Sequence, residues 1–542
     1  MLLLWPITRA GYLLGHDMVF TPRQPLDLAS IGLSTASPRA VPLDALVALA
    51  ERVIDGAVVG RIAVIVPLLA AGLGTAVLLA GCSLAARLAA CGLAIWCPYL
   101  VERMALGQWA LVWAYAALPW LVLAIRHGRG WPGWLWRALA LAAAAVTPTG
   151  GLIGAATLIT VTAVLGRSRR ELAAACGLAV LLQLPWLVPA LVGPADVVSD
   201  PLGVTVFAAR AEHPGGAALS LLGGGGIWDA EVVPGSRNGP LAWLGLLLVV
   251  GAAWYGWRRL VQVLGKRLVA ALAGLALAGL LLAVVSSLPG GDALMRTVVA
   301  HVPGTGLLRD AQKWVMPLVL LEALLAGTAI DRAARRLRSL PWRMVLLVGS
   351  LAVPIVVLPD AAATMRPSFE PVRYPGDWAH VVDRARGGEA TVVPYASYRL
   401  FGWAPGRSVL DPAPRLLQLP TVVDDRLVVS GRRLRGEDSH ARAVGAALRT
   451  GSARRLADLG VEWVVVEHGT PGDTPDLTEL RLLYTGRDLS LYRVPGAIAS
   501  RPVRTVQVVL VLVIDGLVVL ALATLAGAAL GSALRRPRVE SS

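Results

Sequence analysis

Residues 314–338 read WVMPLVLLEALLAGTAIDRAARRLR, an apolar run that ends in a cluster of arginines. The run approaches the roughly 20 residues that an α-helix needs to cross the hydrocarbon core of a bilayer. Arginines in short loops stay on the cytoplasmic side of a membrane. The stretch is therefore typical of a transmembrane helix that ends in the cytoplasm.

The same pattern recurs along the chain. Arginine clusters fall in every second gap between the apolar runs, which predicts about twelve crossings with both termini in the cytoplasm. We therefore expect a mainly α, polytopic helical bundle in the plasma membrane, with the lipid bilayer as its main partner. The arginine clusters begin at Arg126, Arg167, Arg258, Arg332 and Arg535. The apolar runs lie at 58–80, 84–100, 108–125, 134–147, 150–166, 172–192, 240–257, 268–287, 314–331, 343–359 and 505–534.

A shorter apolar run lies at 2–15. No charged region precedes it and no small-residue cleavage site follows, so it does not have the pattern of a signal peptide. We expect it to be the end of a first transmembrane helix, with the printed sequence starting inside that helix.

The bulk composition agrees with a membrane protein. Hydrophobic residues make up 56% of the chain, and the formal net charge is +15. Because the excess positive charge lies mainly in the predicted cytoplasmic gaps, topology accounts for it, and we predict no nucleic-acid partner. The four cysteines lie in or beside apolar runs and show neither metal-binding spacing nor a disulfide framework.

The chain divides by composition into three parts. Residues 360–502 alternate strand-like and helical runs, which predicts a small α/β domain on the outer side of the membrane. In the first outer loop, residues 43–55 place three acids on one helix face and apolar residues elsewhere, as in a helix lying on a membrane surface. The predicted parts are 1–359, a transmembrane core with outside loops 16–57, 193–239 and 288–313; 360–502, the extracytoplasmic α/β domain; and 503–542, a final transmembrane helix with a cytoplasmic tail.

His16 and Asp17 are the sharpest candidate for chemistry, because they directly follow the first apolar run. A carboxylate at the outer mouth of a membrane protein can act as a general base on an acceptor hydroxyl. It can also hold a divalent cation through its oxygens. The plainer alternative is that Asp17 caps a turn and His16 lies at the membrane interface.

Three cations break the trend that keeps positive charge inside. Arg103, Arg309 and Lys313 lie on the predicted outer side, where arginine and lysine could bind a lipid-linked phosphate. Glu102 and Asp310 are adjacent to these cations in the sequence and join the candidate phosphate-binding set. Anchoring to lipid headgroups is the alternative role of the cations.

The order of features along the chain resembles the GT-C superfamily, integral-membrane glycosyltransferases that use polyprenyl-phosphate sugars: an Asp just past the first helix, an interfacial helix, many spans and an outer C-terminal domain. Five stretches of the sequence are also similar to known proteins. The resemblance extends to membrane proteins of this general type from actinobacteria, and the last two stretches also resemble YfhO-like membrane proteins. The stretches are 15–22 (GHDMVFTP), 98–109 (PYLVERMALGQW), 309–314 (RDAQKW), the segment from 410–412 (LDP) to 424–425 (DD), and 459–466 (LGVEWVVV).

The resemblance implies a function and a role for Asp17. In the family, the aspartate of the first outer loop is the catalytic base or helps to bind a metal. His16-Asp17 stands where many members carry two acidic residues. The implied activity is transfer of a sugar from a polyprenyl-phosphate donor to a cell-envelope glycan or lipid acceptor, with a divalent cation as an open question.

Two other functions stay open. A non-catalytic scaffold of the same shape would bind glycan or partner enzymes through residues 360–502. A transporter of lipid-linked sugars would need a polar path at the middle of the membrane. Few polar residues lie within the spans, among them Glu322 and Asp515, and the chain shows no repeated halves.

Overall fold

The computed structural model describes residues 5–34, 40–193, 199–500 and 503–534. Apolar helices dominate the described chain, and shorter helices lie in its outer loops and its sheet-containing segment. The helices are α1 Leu43–Ala50, α2 Gly56–Leu78, α3 Leu84–Ile95, α4 Pro98–Ala105, α5 Trp109–His127, α6 Gly130–Ala144, α7 Pro148–Val164, α8 Arg169–Leu181, α9 Leu184–Val192, α10 Leu202–Val206, α11 Gly216–Leu222, α12 Pro240–Leu264, α13 Lys266–Val284, α14 Gly291–His301, α15 Met316–Ala334, α16 Leu340–Val357, α17 Ala361–Phe369, α18 Asp377–Arg384, α19 Ala413–Leu416, α20 Ser439–Arg449, α21 Ala453–Asp458 and α22 Thr505–Leu534.

Within the described ranges, eight helical segments are long and apolar enough to cross a membrane. The count rises to nine if α8 and α9, which meet at a 49° bend, form one span. The predicted class, a polytopic helical membrane bundle with a small sheet-containing domain, is confirmed. The number of spans is below the twelve expected, partly because α6 and α7 are only 15 and 17 residues long.

The prediction of a first transmembrane helix at 2–15 is wrong for its described part. Trp5–Thr8 forms a single 3₁₀ turn, and β1, Tyr12–Gly15, pairs with β2, Met18–Val19, and with β3, Pro371–Val372. The run is too short to span a bilayer as a helix, and at Gly11 the backbone has φ +131°, which only glycine adopts easily. The described residues before Asp17 therefore lie at the end of the bundle that carries β3. We expected them to begin at the opposite, cytoplasmic end.

The arginine-rich loops meet at one end of the bundle. Arg126 donates to the Val263 carbonyl at 3.0 Å, and Arg167 donates to the Ile125 carbonyl at 2.6 Å. Arg259 forms an ion pair with Asp331. This grouping fits the alternation in the sequence, and the assignment of that end to the cytoplasm stays a prediction. Cluster 535–538 lies outside the described residues.

Residues 371–494 contain a mixed five-stranded sheet in the order β11-β12-β10-β4-β7. Separate apolar cores cover its two faces, one under α20 and α21 and the other under α18 and α19. The valine-rich run of β10 is buried because it lies in the centre of this sheet. The strands are β4 Glu389–Val393, β5 Tyr398–Phe401, β6 Ala404–Leu410, β7 Thr421–Val422, β8 Leu427–Val429, β9 Arg432–Leu434, β10 Val461–Glu467, β11 Arg481–Thr485 and β12 Leu489–Arg493.

Helix α1 ends at Ala50, so the helix predicted over 43–55 is too long, and Asp55 instead caps α2. Asp44 and Glu51 are buried, whereas Leu46 and Leu49 are about half exposed at 48% and 52%. This orientation is the reverse of that in a soluble protein and suits a helix whose apolar face meets lipid. Arg415 from the sheet-containing segment pairs with Asp44 at 3.1 Å.

The sheet-containing segment rests on the first outer loop. The Leu410 amide donates to the His16 carbonyl at 2.8 Å, and the Tyr374 hydroxyl donates to the Phe20 carbonyl at 2.9 Å. These contacts join positions more than 350 residues apart in the sequence. The candidate residues His16 and Asp17 therefore lie between the membrane bundle and the sheet-containing segment.

Candidate active site

His16 and Asp17 form the turn between β1 and β2. His16 has a left-handed backbone with φ 51°, an uncommon conformation for a non-glycine residue. The Asp17 amide donates to the Leu106 carbonyl at 3.1 Å, which ties the turn to the segment between α4 and α5. The backbone therefore holds the turn against the membrane bundle.

The Asp17 carboxylate accepts three side-chain hydrogen bonds. His16 Nδ1 and the Tyr398 hydroxyl contact Oδ1, with the His16 contact at 3.1 Å. Gln108 Nε2 donates to Oδ2 at 3.0 Å. These hydrogen bonds hold the carboxylate in one orientation, and the side chain remains 27% exposed to solvent.

These contacts hold Asp17 in its charged form. Burial by itself would raise the pKa of Asp17, but the hydrogen bond and charge of His16, with the hydrogen bonds from Tyr398 and Gln108, hold that pKa below its ordinary value. Asp17 is therefore ionised at neutral pH. It can accept a proton, although a lowered pKa makes it a weaker base than an unbonded carboxylate.

His16 lies between two acids. Its Nδ1 faces Asp17, and its Nε2 is 3.8 Å from Asp229 Oδ2 in the second long outer loop. The Tyr398 ring packs at a tilt against the imidazole, with 5.2 Å between centroids. The first outer loop, the second outer loop and the sheet-containing segment thus meet at this histidine.

Arg103, Asp310 and Lys313 continue the network away from Asp17. Arg103 has no exposed side-chain surface, donates to both Asp310 oxygens at 2.9 Å, and donates to Gln108 Oε1 at 2.7 Å. Lys313 Nζ is 3.2 Å from Asp310 and its side chain is 26% exposed. Asp17, Gln108, Arg103, Asp310 and Lys313 thus form one chain of contacts.

The charge state of Asp310 follows from the two cations. Burial would raise the pKa of Asp310, but the charges and hydrogen bonds of Arg103 and Lys313 lower it to about 2. The buried Arg103 guanidinium is thus matched by a carboxylate that stays ionised. This arrangement suits Arg103 to positioning Gln108 and leaves Lys313 as the more accessible cation of the network.

Two predicted site residues have other partners. Glu102 accepts a hydrogen bond from Gln312 and lies close to a buried pair of Glu212 and Arg237 that are 2.8 Å apart. Arg309 pairs with Glu437 of the sheet-containing segment and lies over the Phe207 ring. These contacts do not involve Asp17, and the roles proposed for Glu102 and Arg309 stay predictions.

Sequence reasoning missed Gln108, Tyr398 and Asp229 as members of the site. Gln108 lies within the stretch 98–109 that carries the resemblance, so its position was available as a signal. Tyr398 is 381 residues from Asp17 along the chain, and no local pattern marks it. Only the folded chain brings its hydroxyl to the carboxylate.

Whether the site could bind a metal ion depends on how its acidic side chains are arranged. In the ranges that the structure describes, no three His, Cys, Asp or Glu side chains are grouped so that they could hold a metal ion. Asp17 and Asp229 lie on opposite sides of the His16 ring, not around a common point. A cation bound through Asp17 would compete with the hydrogen bonds that the carboxylate already accepts.

The comparison with solved structures identifies a shared fold. It is shared with the solved structure of the arabinofuranosyltransferase AftD from Mycobacteria, at 16% identity and a TM-score of 0.58, over 91% of this chain and 39% of that one. A mutant of AftD gives 17% identity, a TM-score of 0.53, and coverage of 92% and 41%. This chain thus spans about two fifths of AftD. No protein-family model and no curated protein sequence matches it.

Proposed function

We propose that the protein is an integral-membrane glycosyltransferase. It moves a sugar from a polyprenyl-phosphate donor to a cell-envelope glycan or lipid acceptor on the outer face. The observation that carries this proposal is the Asp17 carboxylate, ionised, fixed in orientation and partly exposed, within a fold shared with a membrane glycosyltransferase.

In the proposed reaction, Asp17 accepts the proton of the acceptor hydroxyl. The hydroxyl oxygen forms a bond to the anomeric carbon, and the bond from that carbon to the phosphate oxygen breaks. The lipid phosphate leaves with the bonding electron pair, the sugar inverts at the anomeric carbon, and Asp17 later releases its proton to water. General-base assistance of this kind contributes roughly 100-fold to 10,000-fold in rate.

Lys313 is the proposed contact for the leaving phosphate. Its ammonium group is partly exposed and joins the network that includes Asp17. A cation near the phosphate stabilises the negative charge that develops as the bond breaks. Arg309 is a second candidate, with a side chain that is 31% exposed, and a phosphate there would have to replace Glu437.

The substitution Asp17→Asn tests the proposal. Asparagine keeps the size of the side chain but is not a base, so we expect transfer to fall at least about 100-fold. The assay uses membranes that contain the full chain, polyprenyl-phosphate-linked radioactive sugar and glycan acceptor, with cell-envelope composition as a second measurement. Unchanged transfer and unchanged composition would show that the assignment is wrong.

Asp55→Asn is the matched control. Asp55 belongs to the same outer loop and caps α2 by accepting from the Ala57 amide at 2.8 Å. Asparagine is an equally good helix cap, so this variant should fold and retain transfer. A parallel loss in both variants would point to damage to the loop and not to a role for Asp17.

A non-catalytic scaffold is the second candidate, and one observation favours it. Asp17 accepts three hydrogen bonds from parts of the molecule that are far apart in sequence, which also suits a structural joint. A scaffold predicts that Asp17→Asn complements a deletion strain whereas a chain lacking 360–502 does not. An enzyme predicts that neither variant complements.

A further inference from the structure

We propose that Tyr398 is a displaceable cap on Asp17, and that the acceptor hydroxyl takes its place before transfer. The inference rests on the proposed function and concerns control of the same site. It assigns to the sheet-containing segment a direct part in acceptor entry, through one phenol hydroxyl.

The lone pairs of Asp17 limit how an acceptor can bind to it. An ionised carboxylate offers about four sites for hydrogen bonds, and His16, Tyr398 and Gln108 already donate to it. A base must have a free lone pair directed at the hydroxyl that it deprotonates. One of the present donors therefore has to leave, or the acceptor has to approach through the remaining site.

Tyr398 is the donor best suited to leave. It is the one hydroxyl among these three described donors, so an acceptor hydroxyl makes the same kind of bond in its place. Gln108 is held at its other end by Arg103. His16 is the sequence neighbour of Asp17 and lies in the same tight turn, so it has little freedom to withdraw.

The backbone around Tyr398 is firmly anchored. Its neighbour Arg399 is buried and pairs with Asp411 at 2.6 Å and with Glu467 at 3.1 Å. The Asp411 amide donates to the Ser397 carbonyl at 2.8 Å. Displacement therefore means rotation of the tyrosine side chain on a fixed hairpin, not movement of the whole segment.

The cap also sets the strength of the base. Burial and the charge of Asp17 raise the pKa of Tyr398, so the phenol stays protonated and acts only as a donor. The hydrogen bond from Tyr398 is one of the contacts that lower the pKa of Asp17. After the phenol has left and before the acceptor hydroxyl has replaced its hydrogen bond, the pKa of Asp17 is higher and the carboxylate is a stronger base.

The first test compares Tyr398→Phe with Tyr374→Phe. Both variants remove one hydroxyl that joins the sheet-containing segment to the first outer loop, but Tyr374 bonds to the Phe20 carbonyl and not to Asp17. The full chain in lipid nanodiscs is treated with a carbodiimide, which reacts with protonated carboxyls. Mass spectrometry of the peptide that contains Asp17 gives the extent of labelling at each pH.

We expect the labelling midpoint of Asp17 to move to higher pH in Tyr398→Phe and to stay at the wild-type value in Tyr374→Phe. Equal midpoints in all three proteins would overturn the proposal, because the phenol would then have no influence on the carboxylate. This readout needs no donor or acceptor, so it stands even if Asp17→Asn proves active and the proposed function fails.

The second test separates a cap from a group that merely positions Asp17. Transfer from radioactive polyprenyl-phosphate sugar is measured against a panel of octyl glycosides as acceptors. Without the phenol to displace, Tyr398→Phe should lower the acceptor KM by roughly tenfold, the scale of one hydrogen bond to a charged group. A fall in kcat with an unchanged or higher KM would contradict displacement, as would a lower KM in Tyr374→Phe.

Discussion

The role that the sequence predicts for Arg103 differs from the role that the side chain has in the structure. In the sequence it is an outer-side cation suited to phosphate, but in the structure it is fully buried and bonded to both oxygens of Asp310. A buried charge without its partner is strongly unfavourable, because water no longer solvates it. The pair therefore fixes the position of Gln108, which in turn orients Asp17.

Asp310→Asn should destabilise the protein by roughly 3–5 kcal/mol, because it leaves the Arg103 charge buried and unmatched. Denaturant unfolding of the full chain in detergent, followed by tryptophan fluorescence, measures the change. Asp383→Asn is the control, since its pair with Arg386 is about three-quarters exposed and should contribute little. Equal stability of the two variants would contradict the proposed weight of the buried pair.

The same pair predicts how stability depends on acid. The pKa of Asp310 is lowered to about 2 in the folded chain and lies near 3.9 in an unfolded one. A lowered folded pKa adds stability that is complete above the unfolded value and is lost as pH falls through the folded value. The denaturant concentration at the unfolding midpoint of the wild type should therefore fall as the pH is lowered from about 4 to about 2. The fall should be smaller in Asp310→Asn.

The segment between α4 and α5 holds the hairpin of β1 and β2 in place. The chain passes from α4 to α5 through Gly107, whose φ is +80°. A Cβ at Gly107 would lie 2.2 Å from the Gly15 carbonyl oxygen and 2.8 Å from the Asp17 amide nitrogen. Glycine at this position lets the backbone of the bundle touch the turn that carries Asp17.

Gly107→Ala should therefore displace the His16–Asp17 turn and reduce transfer more than it reduces the amount of folded protein. Gly290→Ala is the matched control, because its φ is +77° but a Cβ there meets nothing within 4 Å. The two variants share the backbone strain and differ only in the clash. Transfer rates per folded molecule distinguish them, and equal rates would argue against a role for this contact.

In the whole molecule, the two ends of the helical bundle carry different groups of residues. The described start of the chain and the sheet-containing segment share one end, because Arg9 pairs with Glu370 and β1 pairs with β3. The arginine-rich loops gather together through Arg259 and Asp331. If positive charge stays inside, the first group faces out and the second faces the cytoplasm.

Single cysteines in a cysteine-free background test this sidedness. An impermeant maleimide should label Thr8→Cys and Thr478→Cys in intact cells, and Arg338→Cys only after permeabilisation; all three positions are exposed. Labelling of Thr8→Cys only after permeabilisation would restore the expected cytoplasmic N-terminus. Labelling of Arg338→Cys in intact cells would reverse the whole topology.

Local patterns in the sequence are enough to predict the class of fold. Long apolar runs and alternating arginines specify a polytopic bundle, because burying backbone in lipid allows few other solutions. The alternation of strand-like and helical runs predicted for 360–502 also followed from local pattern, since the segment contains strands β4, β10 and β12 and helices α18, α20 and α21. The candidate Asp17 came from its position after an apolar run and from the resemblance.

The surroundings of Asp17 depend on contacts between distant segments. Tyr12–Gly15, just before it, pairs as a strand with β3, and that strand partner comes from more than 350 residues away in the sequence. Tyr398, which donates to the Asp17 carboxylate, has a similar separation from it in the sequence. Arg103 and its partner Asp310 are 207 residues apart. The periodicity of apolar residues predicts which face of each segment contacts lipid or the core. Hydrogen bonds between distant segments depend on how those segments pack, and local sequence patterns do not predict this packing.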